Sequence, residues 1–259
     1  MKTMDLNKPY AGWSLFVGGM YGSGKTTILG DMLAYEQKRG KVAYVMVPQE
    51  GDADKGGWRS IAGMGITEAY LVETYDDLKD LLAKFRKDRY QAVGVDQLCG
   101  VATLIRLKLL GENRMPNTTL KRNEYGEINS EFCSFVREWN NSVHYSMMVA
   151  PTDITSKDDQ TGQQPSMQDI ATSQKFIRPM MEWTKLEFLV PGLFDLCFHL
   201  DVSGYKEVMK RQLITRQGKQ FGTKQRLPKH LRMTTNLDLT DECTNWEQIV
   251  RHLEGGSNG

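Results

Sequence analysis

Short apolar segments alternate with stretches of helical periodicity along this chain. Trp13 to Val17 is an apolar run of strand length, a helical pattern follows from Thr26 to about Arg39, and Lys41 to Val47 is apolar again. Strands that alternate with helices in this way are typical of a parallel sheet with helices on both faces. The pattern therefore predicts an α/β fold with a mostly parallel central sheet.

Further elements follow in the middle of the chain. The residues after Thr74 have apolar side chains at the spacing of one helix face, and threonine is a favoured N-cap. Ser130 to Trp139 also has a helical pattern, whereas a polar stretch around Gly111 to Gly126 predicts an interruption. The additional predicted strands are Ala69 to Val72, Ala92 to Val95 and His144 to Ala150.

The C-terminal part has a different pattern. Phe194 to Arg232 predicts short strands with a turn at Gln217-Gly218-Lys219, which we interpret as a β-hairpin extension of the sheet. Trp246 to Leu253 predicts a final helix, and Glu254 to Gly259 a flexible tail. Thr155 to Gln168 contains almost no apolar side chains and therefore predicts a mobile surface loop.

Composition limits the class of protein. With 259 residues, 40% of them hydrophobic and 25% charged, the chain can bury a full core, and we expect one domain over residues 1–253. Its apolar runs are far shorter than the ~20 residues of a membrane helix, and its N-terminus lacks the layout of a secretion signal. We therefore expect a cytoplasmic protein without a membrane partner. The four widely spaced cysteines do not predict a zinc site or a disulfide framework.

The most specific motif is G-x-x-x-x-G-K-[ST], with a predicted strand before it and a predicted helix after it, as a P-loop requires. Backbone N–H groups of such a turn, with the positive end of the helix, bind the β- and γ-phosphates of a nucleotide. Lys25 adds a positive charge, and the Thr26 hydroxyl can ligate Mg²⁺. The motif predicts a site for ATP with Mg²⁺, formed by Gly19, Met20, Tyr21, Gly22, Ser23, Gly24, Lys25, Thr26 and Thr27.

Two acidic residues follow predicted strands. Asp96 comes directly after the strand Ala92 to Val95, where a carboxylate can reach the metal of a neighbouring P-loop. Glu50 comes after the second strand, and the chain between it and Lys25 is long enough for one helix and one returning strand. We predict that Asp96 serves the metal and that Glu50 activates the attacking water. The alternatives are a capping aspartate and a solvated loop glutamate.

Polar residues also follow the predicted strand His144 to Ala150. Thr152 and Asp153 occupy a place where a polar side chain can sense the γ-phosphate, although a plain turn over residues 150–153 explains them equally well.

Positive charge is concentrated late in the chain, although the formal net charge is only +1. Residues 205–232 contain nine Lys or Arg residues and a single acid, Glu207. Such a segment can neutralise the phosphates of nucleic acid or of ATP on a neighbouring subunit, or it can be a solvated basic face. Lys224 and Arg226 stand two apart on a predicted strand, so their side chains point the same way.

The order of P-loop, Glu50, Asp96 and a late K-x-R pair resembles the RecA-like core ATPases. The sequence is most similar to compact phage-encoded AAA-type nucleotide-binding proteins, which include the Sak-type single-strand annealing ATPases. This resemblance implies a RecA-like P-loop fold over most of the chain, with Glu50 as catalytic base and Asp96 as metal residue. It also implies that Lys224 and Arg226 reach the ATP of a neighbouring subunit.

The same resemblance implies a bacterial host cytoplasm, single-stranded DNA as a partner, self-association into a ring or filament, and a possible single-strand-binding protein as a further partner. Three features depart from the family pattern. The loop at 155–168 has one base, Lys157, against two acids, Thr152 replaces the usual Gln or His sensor, and Gln97 rather than Ser follows Asp96.

Three functions remain open at the level of sequence. The first is a DNA-dependent ATPase in single-strand annealing or recombination, which the basic segment favours. The second is an ATP-driven motor or loader that works through a protein partner. The third, a small-molecule kinase, is disfavoured because no Arg-rich lid is present and because Glu50 suits water activation better.

Overall fold

The computed structural model describes part of the chain, namely residues 12–48, 59–111, 121–155, 176–181, 184–203, 210–215, 223–227, 231–234, 236–239 and 245–253. Several predictions lie outside these residues: Glu50, the surface loop after Thr155, the turn at 217–219 and the tail at 254–259.

The described residues form strands and helices in alternation. The strands are β1 (Trp13–Gly19), β2 (Val42–Met46), β3 (Ala69–Leu71), β4 (Ala92–Asp96), β5 (Tyr145–Thr155), β6 (Phe176–Pro179), β7 (Leu196–Ser203), β8 (Lys210–Ile214), β9 (Lys224–Gln225) and β10 (Leu237–Leu239). The helices are α1 (Lys25–Glu36), α2 (Tyr75–Asp88), α3 (Leu98–Leu110), α4 (Arg122–Asn140), α5 (Thr184–Leu193) and α6 (Asn245–Leu253).

One sheet organises the molecule, with the spatial order β10-β8-β7-β1-β5-β4-β2-β3. All neighbouring pairs from β7 to β3 are parallel. β1 lies in the middle, between β5 and β7. The predicted α/β fold with a mostly parallel sheet is therefore confirmed, and the carboxyl ends of β1, β4, β5 and β7 meet at one edge.

Antiparallel strands extend the sheet beyond β7, as the predicted hairpin extension requires. β8 returns alongside the second half of β7, with Ser203 opposite Lys210, and β10 pairs with β8. β9 pairs with the first half of β7, so that β8 and β9 occupy the same side of that strand. β6 returns antiparallel to the end of β5.

Two hydrophobic cores cover the two faces of the sheet. In β1, Leu15 and Val17 point into the core formed with α1 and α6, whereas Phe16 points into the core formed with α2, α3, α4 and α5. This alternation follows from the two-residue period of a strand, and burial on both faces explains why the central strands are continuously apolar.

Local sequence explains the start of α2. The Thr74 side chain accepts a hydrogen bond from the Asp77 backbone N–H, and the Asp77 carboxylate accepts one from the Thr74 N–H. This capping box satisfies two backbone donors at the helix start, and it confirms the predicted N-cap.

The structure corrects three predictions. α3 was not predicted, because its residues from Leu98 to Arg106 are all buried and the helix has no polar face to mark its period. The polar interruption predicted around Gly111 to Gly126 is too long, because α4 already begins at Arg122. The turn over residues 150–153 is wrong, because β5 continues to Thr155 and pairs there with β6.

Among the described residues, no helix is long and apolar enough to cross a membrane.

Candidate active site

The P-loop leaves the sheet at the edge where the parallel strands end. Its first residue, Gly19, lies opposite Pro151 of β5 on one side and Leu200 of β7 on the other. The carboxyl end of β4, with Asp96, lies beside β5 at the same edge. Ligands of open α/β sheets bind outside the carboxyl ends of the strands, so the fold brings the predicted nucleotide residues to the expected place.

Two glycines give the P-loop its curvature. Gly22 has φ of 75° and Gly24 has φ of 98°, both in the left-handed region that residues with a side chain rarely adopt. Gly24 is also the N-cap of α1 and supplies no side-chain acceptor, and the first turn of α1 contains no acidic residue. The first N–H groups of α1 therefore have no side-chain cap, and a helix start of this kind is suited to bind an anion.

Close packing explains the first glycine of the motif. A Cβ atom on Gly19 would lie 2.5 Å from Oγ of Ser23 and 2.9 Å from the carbonyl oxygen of Leu200. Ser23 is itself buried, and its hydroxyl has no hydrogen-bond partner among the described residues. A buried hydroxyl without a partner inside a phosphate-binding turn is suited to contact a ligand oxygen.

Lys25 lies across the turn that it follows. Its Nζ donates hydrogen bonds to the carbonyl oxygens of Gly19 and Met20, each at 2.8 Å. Burial is the larger influence and lowers the pKa of Lys25 to about 8. The nearby Asp96 carboxylate acts in the opposite direction and raises this pKa. The ammonium group is therefore poorly solvated and is held by two neutral acceptors, so a phosphate oxygen would be a better partner.

Asp96 joins the P-loop to the neighbouring strands. Its Oδ2 accepts a hydrogen bond of 2.7 Å from the Thr26 hydroxyl and one of 3.1 Å from the Tyr44 hydroxyl. Burial and the nearby Asp96 charge raise the pKa of Tyr44, so this hydroxyl stays protonated and donates. The oxygens of the two residues predicted to serve Mg²⁺, Thr26 and Asp96, lie 2.7 Å apart, which is close enough for them to share one metal directly or through water.

Neutral polar groups lie beneath the P-loop on the opposite face of the sheet. A Cβ atom on Gly18 would lie 2.6 Å from Cγ2 of Thr152, so Thr152 adjoins the P-loop strand directly. Its buried hydroxyl has no hydrogen-bond partner among the described residues. His199, opposite Gly18 on β7, is buried, and burial lowers its pKa to about 4, with a further contribution from Lys25. A role of Thr152 in sensing the γ-phosphate stays a prediction; for Asp153 the structure describes only the backbone.

The K-x-R pair lies near the amino ends of the parallel strands, whereas the P-loop lies at their carboxyl ends. Lys224 is opposite Cys197 at the beginning of β7, whereas the P-loop adjoins the later residue Leu200. Lys224 Nζ donates to the carbonyl oxygens of Pro191 and Phe194 at 2.7 and 3.2 Å. Arg226 donates to the carbonyl oxygen of Gly192 at 2.9 Å. Within this chain both cations bind the C-terminal end of α5, and their action on a neighbouring subunit stays a prediction.

The path toward Glu50 can be followed for two residues beyond β2. The Val47 N–H donates to the carbonyl oxygen of Asp96 at 2.7 Å, and the Gln97 N–H donates back to Val47 at 3.3 Å. The chain therefore runs alongside Asp96 toward the P-loop edge before it reaches the undescribed residues, and the role of Glu50 as a base stays a prediction.

Sequence reasoning missed Tyr44 and His199. Both stand within apolar strands, where an aromatic or a lone histidine is usually a core residue. Tyr44 lies opposite Gly94 on β4, two residues before Asp96, and this register brings its hydroxyl to the carboxylate. No signal in the sequence alone specifies that register.

The residues present fit a magnesium nucleotide. The turn supplies left-handed glycines and an uncapped helix start for phosphate, Lys25 supplies a charge, and Thr26 and Asp96 supply oxygens for the metal. The buried hydroxyls of Ser23 and Thr152 are further polar groups without partners among the described residues.

Comparison with known proteins agrees with this geometry. The model of the AAA domain family matches residues 11–227, from just before β1 to just after β9. No curated protein matches the chain. The matched segment contains the P-loop, Asp96 and the K-x-R pair and amounts to most of the 259 residues. This chain therefore belongs to the AAA domain family of P-loop ATPases.

Proposed function

We propose that this protein hydrolyses ATP with Mg²⁺ at the P-loop edge of its sheet and couples the hydrolysis to work on single-stranded DNA. The observation that supports the nucleotide chemistry is the contact of Thr26 with Asp96 beside an ammonium group that donates to two backbone carbonyl oxygens. Each of these groups has a role in binding or turning over a nucleotide and no evident role in packing.

We assign different steps of ATP binding and hydrolysis to different residues of the site. The P-loop N–H groups and Lys25 bind and orient the phosphates, and Thr26 with Asp96 would hold Mg²⁺, which would neutralise charge that develops on the phosphates. We assign to Thr152, whose buried hydroxyl has no partner among the described residues, the role of donating to the γ-phosphate. Glu50 accepts the proton of the attacking water, which becomes part of the inorganic phosphate product.

Two substitutions separate binding from hydrolysis. We expect Lys25→Ala to abolish binding of Mg-ATP, measured by calorimetry, because the phosphates lose their only P-loop charge. Glu50→Gln should retain binding and lose turnover, because an amide cannot accept the proton. Lys38→Ala removes an exposed lysine just after α1 and serves as the control. Full hydrolysis by Lys25→Ala would contradict the assignment, and unchanged turnover in Glu50→Gln would remove Glu50 from the mechanism.

A role on single-stranded DNA, in phage recombination or annealing, is the finer part of the proposal. It is supported by the nine basic residues between 205 and 232 and by the likeness to single-strand annealing ATPases. We further propose that the protein self-associates into a ring or filament in the bacterial cytoplasm, and that Lys224 and Arg226 then approach the ATP of the next subunit. A single-strand-binding protein is a possible partner in that setting.

The DNA role is tested by the rate of ATP hydrolysis with and without single-stranded DNA. We expect several-fold stimulation that declines as salt is raised, because phosphate contacts release counterions. Double-stranded DNA of equal length is the control ligand, and Lys25→Ala is the control protein. Hydrolysis that ignores DNA at every salt concentration would reject the DNA role and leave the ATPase intact.

A motor or loader that works through a protein partner is the second candidate. It is favoured by the engagement of Lys224 and Arg226 with the end of α5, which leaves these cations less available for DNA. Under this alternative the same assay shows no response to DNA.

A further inference from the structure

An arginine from outside the P-loop lies against the start of α1. A Cβ atom on Gly24, the N-cap of α1, would lie 3.7 Å from Cδ and 3.8 Å from Nε of Arg211. Arg211 belongs to β8, in the antiparallel part of the sheet. The absence of a side chain on Gly24 therefore lets the arginine side chain approach the turn that binds the phosphates.

The register of β8 directs the Arg211 side chain toward α1. Arg211 lies opposite Val202, just beyond the part of β7 that adjoins the P-loop. Its side chain shares a face of β8 with Leu213, which is buried in the core beneath α1. Gln212 points to the other face and donates to Asp238 of β10. Arg211 is thus directed toward α1 by the same alternation that buries Leu213.

Positive charge is concentrated at this position. The N-terminal end of a helix carries partial positive charge, which opposes a cation. Lys25 belongs to the same turn of α1, and no acidic residue is present in that first turn. This concentration of positive charge would attract a bound polyphosphate.

We propose that Arg211 binds the phosphate chain of the nucleotide held by the P-loop of its own subunit. This inference rests on the proposed nucleotide site and adds a binding residue that lies outside the P-loop motif. It also distinguishes Arg211, which acts within its subunit, from Lys224 and Arg226, which lie near the amino ends of the parallel strands.

Affinity for Mg-ATP and Mg-ADP provides the first test, measured by calorimetry without DNA. We expect Arg211→Met to weaken both affinities by roughly tenfold or more, the usual effect of losing a hydrogen bond to a charged group. Arg211→Lys should recover part of the loss. Gln212→Met, on the other face of the same strand, and Lys38→Met, a distant lysine, should remain within about twofold of the wild-type affinity.

Thermal stability separates binding from packing. A packing role predicts a lower Tm for Arg211→Met without nucleotide and an unchanged affinity in the folded protein. The binding role predicts a weaker affinity in the folded protein and a smaller rise in Tm on adding Mg-ATP, whatever the Tm without nucleotide.

Subunit mixing tests whether Arg211 acts within its own chain. Arg211→Met and Lys25→Ala are mixed, and hydrolysis is compared with the sum of the separate proteins. We expect no recovery of hydrolysis, because neither variant chain carries both Lys25 and Arg211. Recovered hydrolysis would show that Arg211 serves a neighbouring P-loop and would overturn the proposal.

The outcomes also separate this proposal from the proposed function. If wild type binds Mg-ATP and Lys25→Ala does not, the nucleotide site stands, and wild-type affinity in Arg211→Met then overturns the role of Arg211 alone. If wild type binds no Mg-nucleotide, both proposals fail.

Discussion

At the level of single residues, the carboxylate of Asp96 joins β4 to β2 and to the end of the P-loop. Its Oδ2 accepts hydrogen bonds from Thr26, at the start of α1, and from Tyr44, in the middle of β2. Two donors on one oxygen hold the carboxylate in a single orientation. We therefore regard Tyr44 as a positioning residue for the proposed metal site.

Substitution of Tyr44 by Phe should disturb metal use more than nucleotide binding. A buried hydrogen bond to a charged group contributes about 1.5–3 kcal/mol, and its loss frees the carboxylate to rotate. We expect Tyr44→Phe to raise the Mg²⁺ concentration needed for half-maximal hydrolysis by several-fold, with little change in affinity for ATP at saturating Mg²⁺. Tyr35→Phe, which removes a hydroxyl that accepts a hydrogen bond from the exposed Arg39, is the matched control. An unchanged Mg²⁺ requirement would remove Tyr44 from the site.

The pKa of Lys25 makes nucleotide affinity depend on pH. Burial lowers this pKa to about 8 in the free protein, and a bound triphosphate raises it by attraction. Below pH 8 the lysine is charged in both states, so affinity is steady. Above pH 8 the free lysine loses its proton and must regain it on binding, so the Kd for ATP should rise by up to about tenfold per pH unit.

Calorimetry between pH 7 and 9.5 measures this effect, and Lys25→Arg is the control because a guanidinium stays charged throughout. A Kd for wild type that is flat across pH 8 to 9.5 would contradict the lowered pKa.

The same lowered pKa also makes the folding stability of the free protein depend on pH, with the opposite sign to its effect on ATP affinity. Because the unfolded lysine binds its proton up to about pH 10.5, the stability of the free protein should increase as the pH rises from 8 to 10.5.

At the scale of elements, β9 holds the end of α5. Three carbonyl oxygens at the end of α5, those of Pro191, Gly192 and Phe194, accept hydrogen bonds from Lys224 and Arg226. The last carbonyls of a helix have no partners within the helix, and cations are favoured there by the helix dipole. The K-x-R pair therefore has a structural role in this chain, whatever role it has between subunits.

Stability measurements separate the two roles. We expect Lys224→Met to lower the Tm by roughly 2–4 °C for each kcal/mol lost, because two carbonyls lose their donor. The change should be present at every protein concentration, since the contact lies within one chain. Lys210→Met, on an exposed position of β8, is the control for charge and should leave the Tm unchanged. A Tm equal to that of wild type would show that Lys224 contributes nothing to α5.

Elements differ in how well local sequence identifies them. α2 has a capping box at Thr74 and a regular apolar face, so both its start and its type were predicted from sequence. α3 is buried on nearly all sides and has no polar face, so periodicity cannot distinguish it from strand or loop. The end of β5 was also missed, because its last residues are paired by β6, which comes from more than twenty residues later in the chain.

At the scale of the whole molecule, α6 completes the core around α1. It lies beyond residue 227, where the match to the AAA domain ends. Two buried acids of α1 accept hydrogen bonds from it: Asn245 donates to Asp31 at 3.1 Å, and the Trp246 indole donates to Glu36 at 3.0 Å. Buried carboxylates require such donors, so α6 stabilises the helix that carries the P-loop lysine.

Trp246→Phe should destabilise the protein without altering the nucleotide site. It removes the indole donor from the buried Glu36, and a buried acceptor that loses its partner costs about 1–3 kcal/mol. We expect a clear fall in Tm and an affinity for Mg-ATP within about twofold of wild type below that Tm. Glu247→Gln, at an adjacent position of α6 that is not fully buried, is the control. A large loss of affinity with an unchanged Tm would contradict the structural role.

The P-loop and the α/β class were predictable from local features of the chain: glycines at fixed spacing, a lysine and a threonine at the helix start, and short apolar runs. The sequence also placed Asp96 at the end of a strand. Only the tertiary structure brought Thr26, Tyr44 and Asp96 onto one oxygen, directed Arg211 toward Gly24, and joined Lys224 to α5. Those contacts depend on strand order and register, which arise from the packing of distant segments and leave no local signal in the chain.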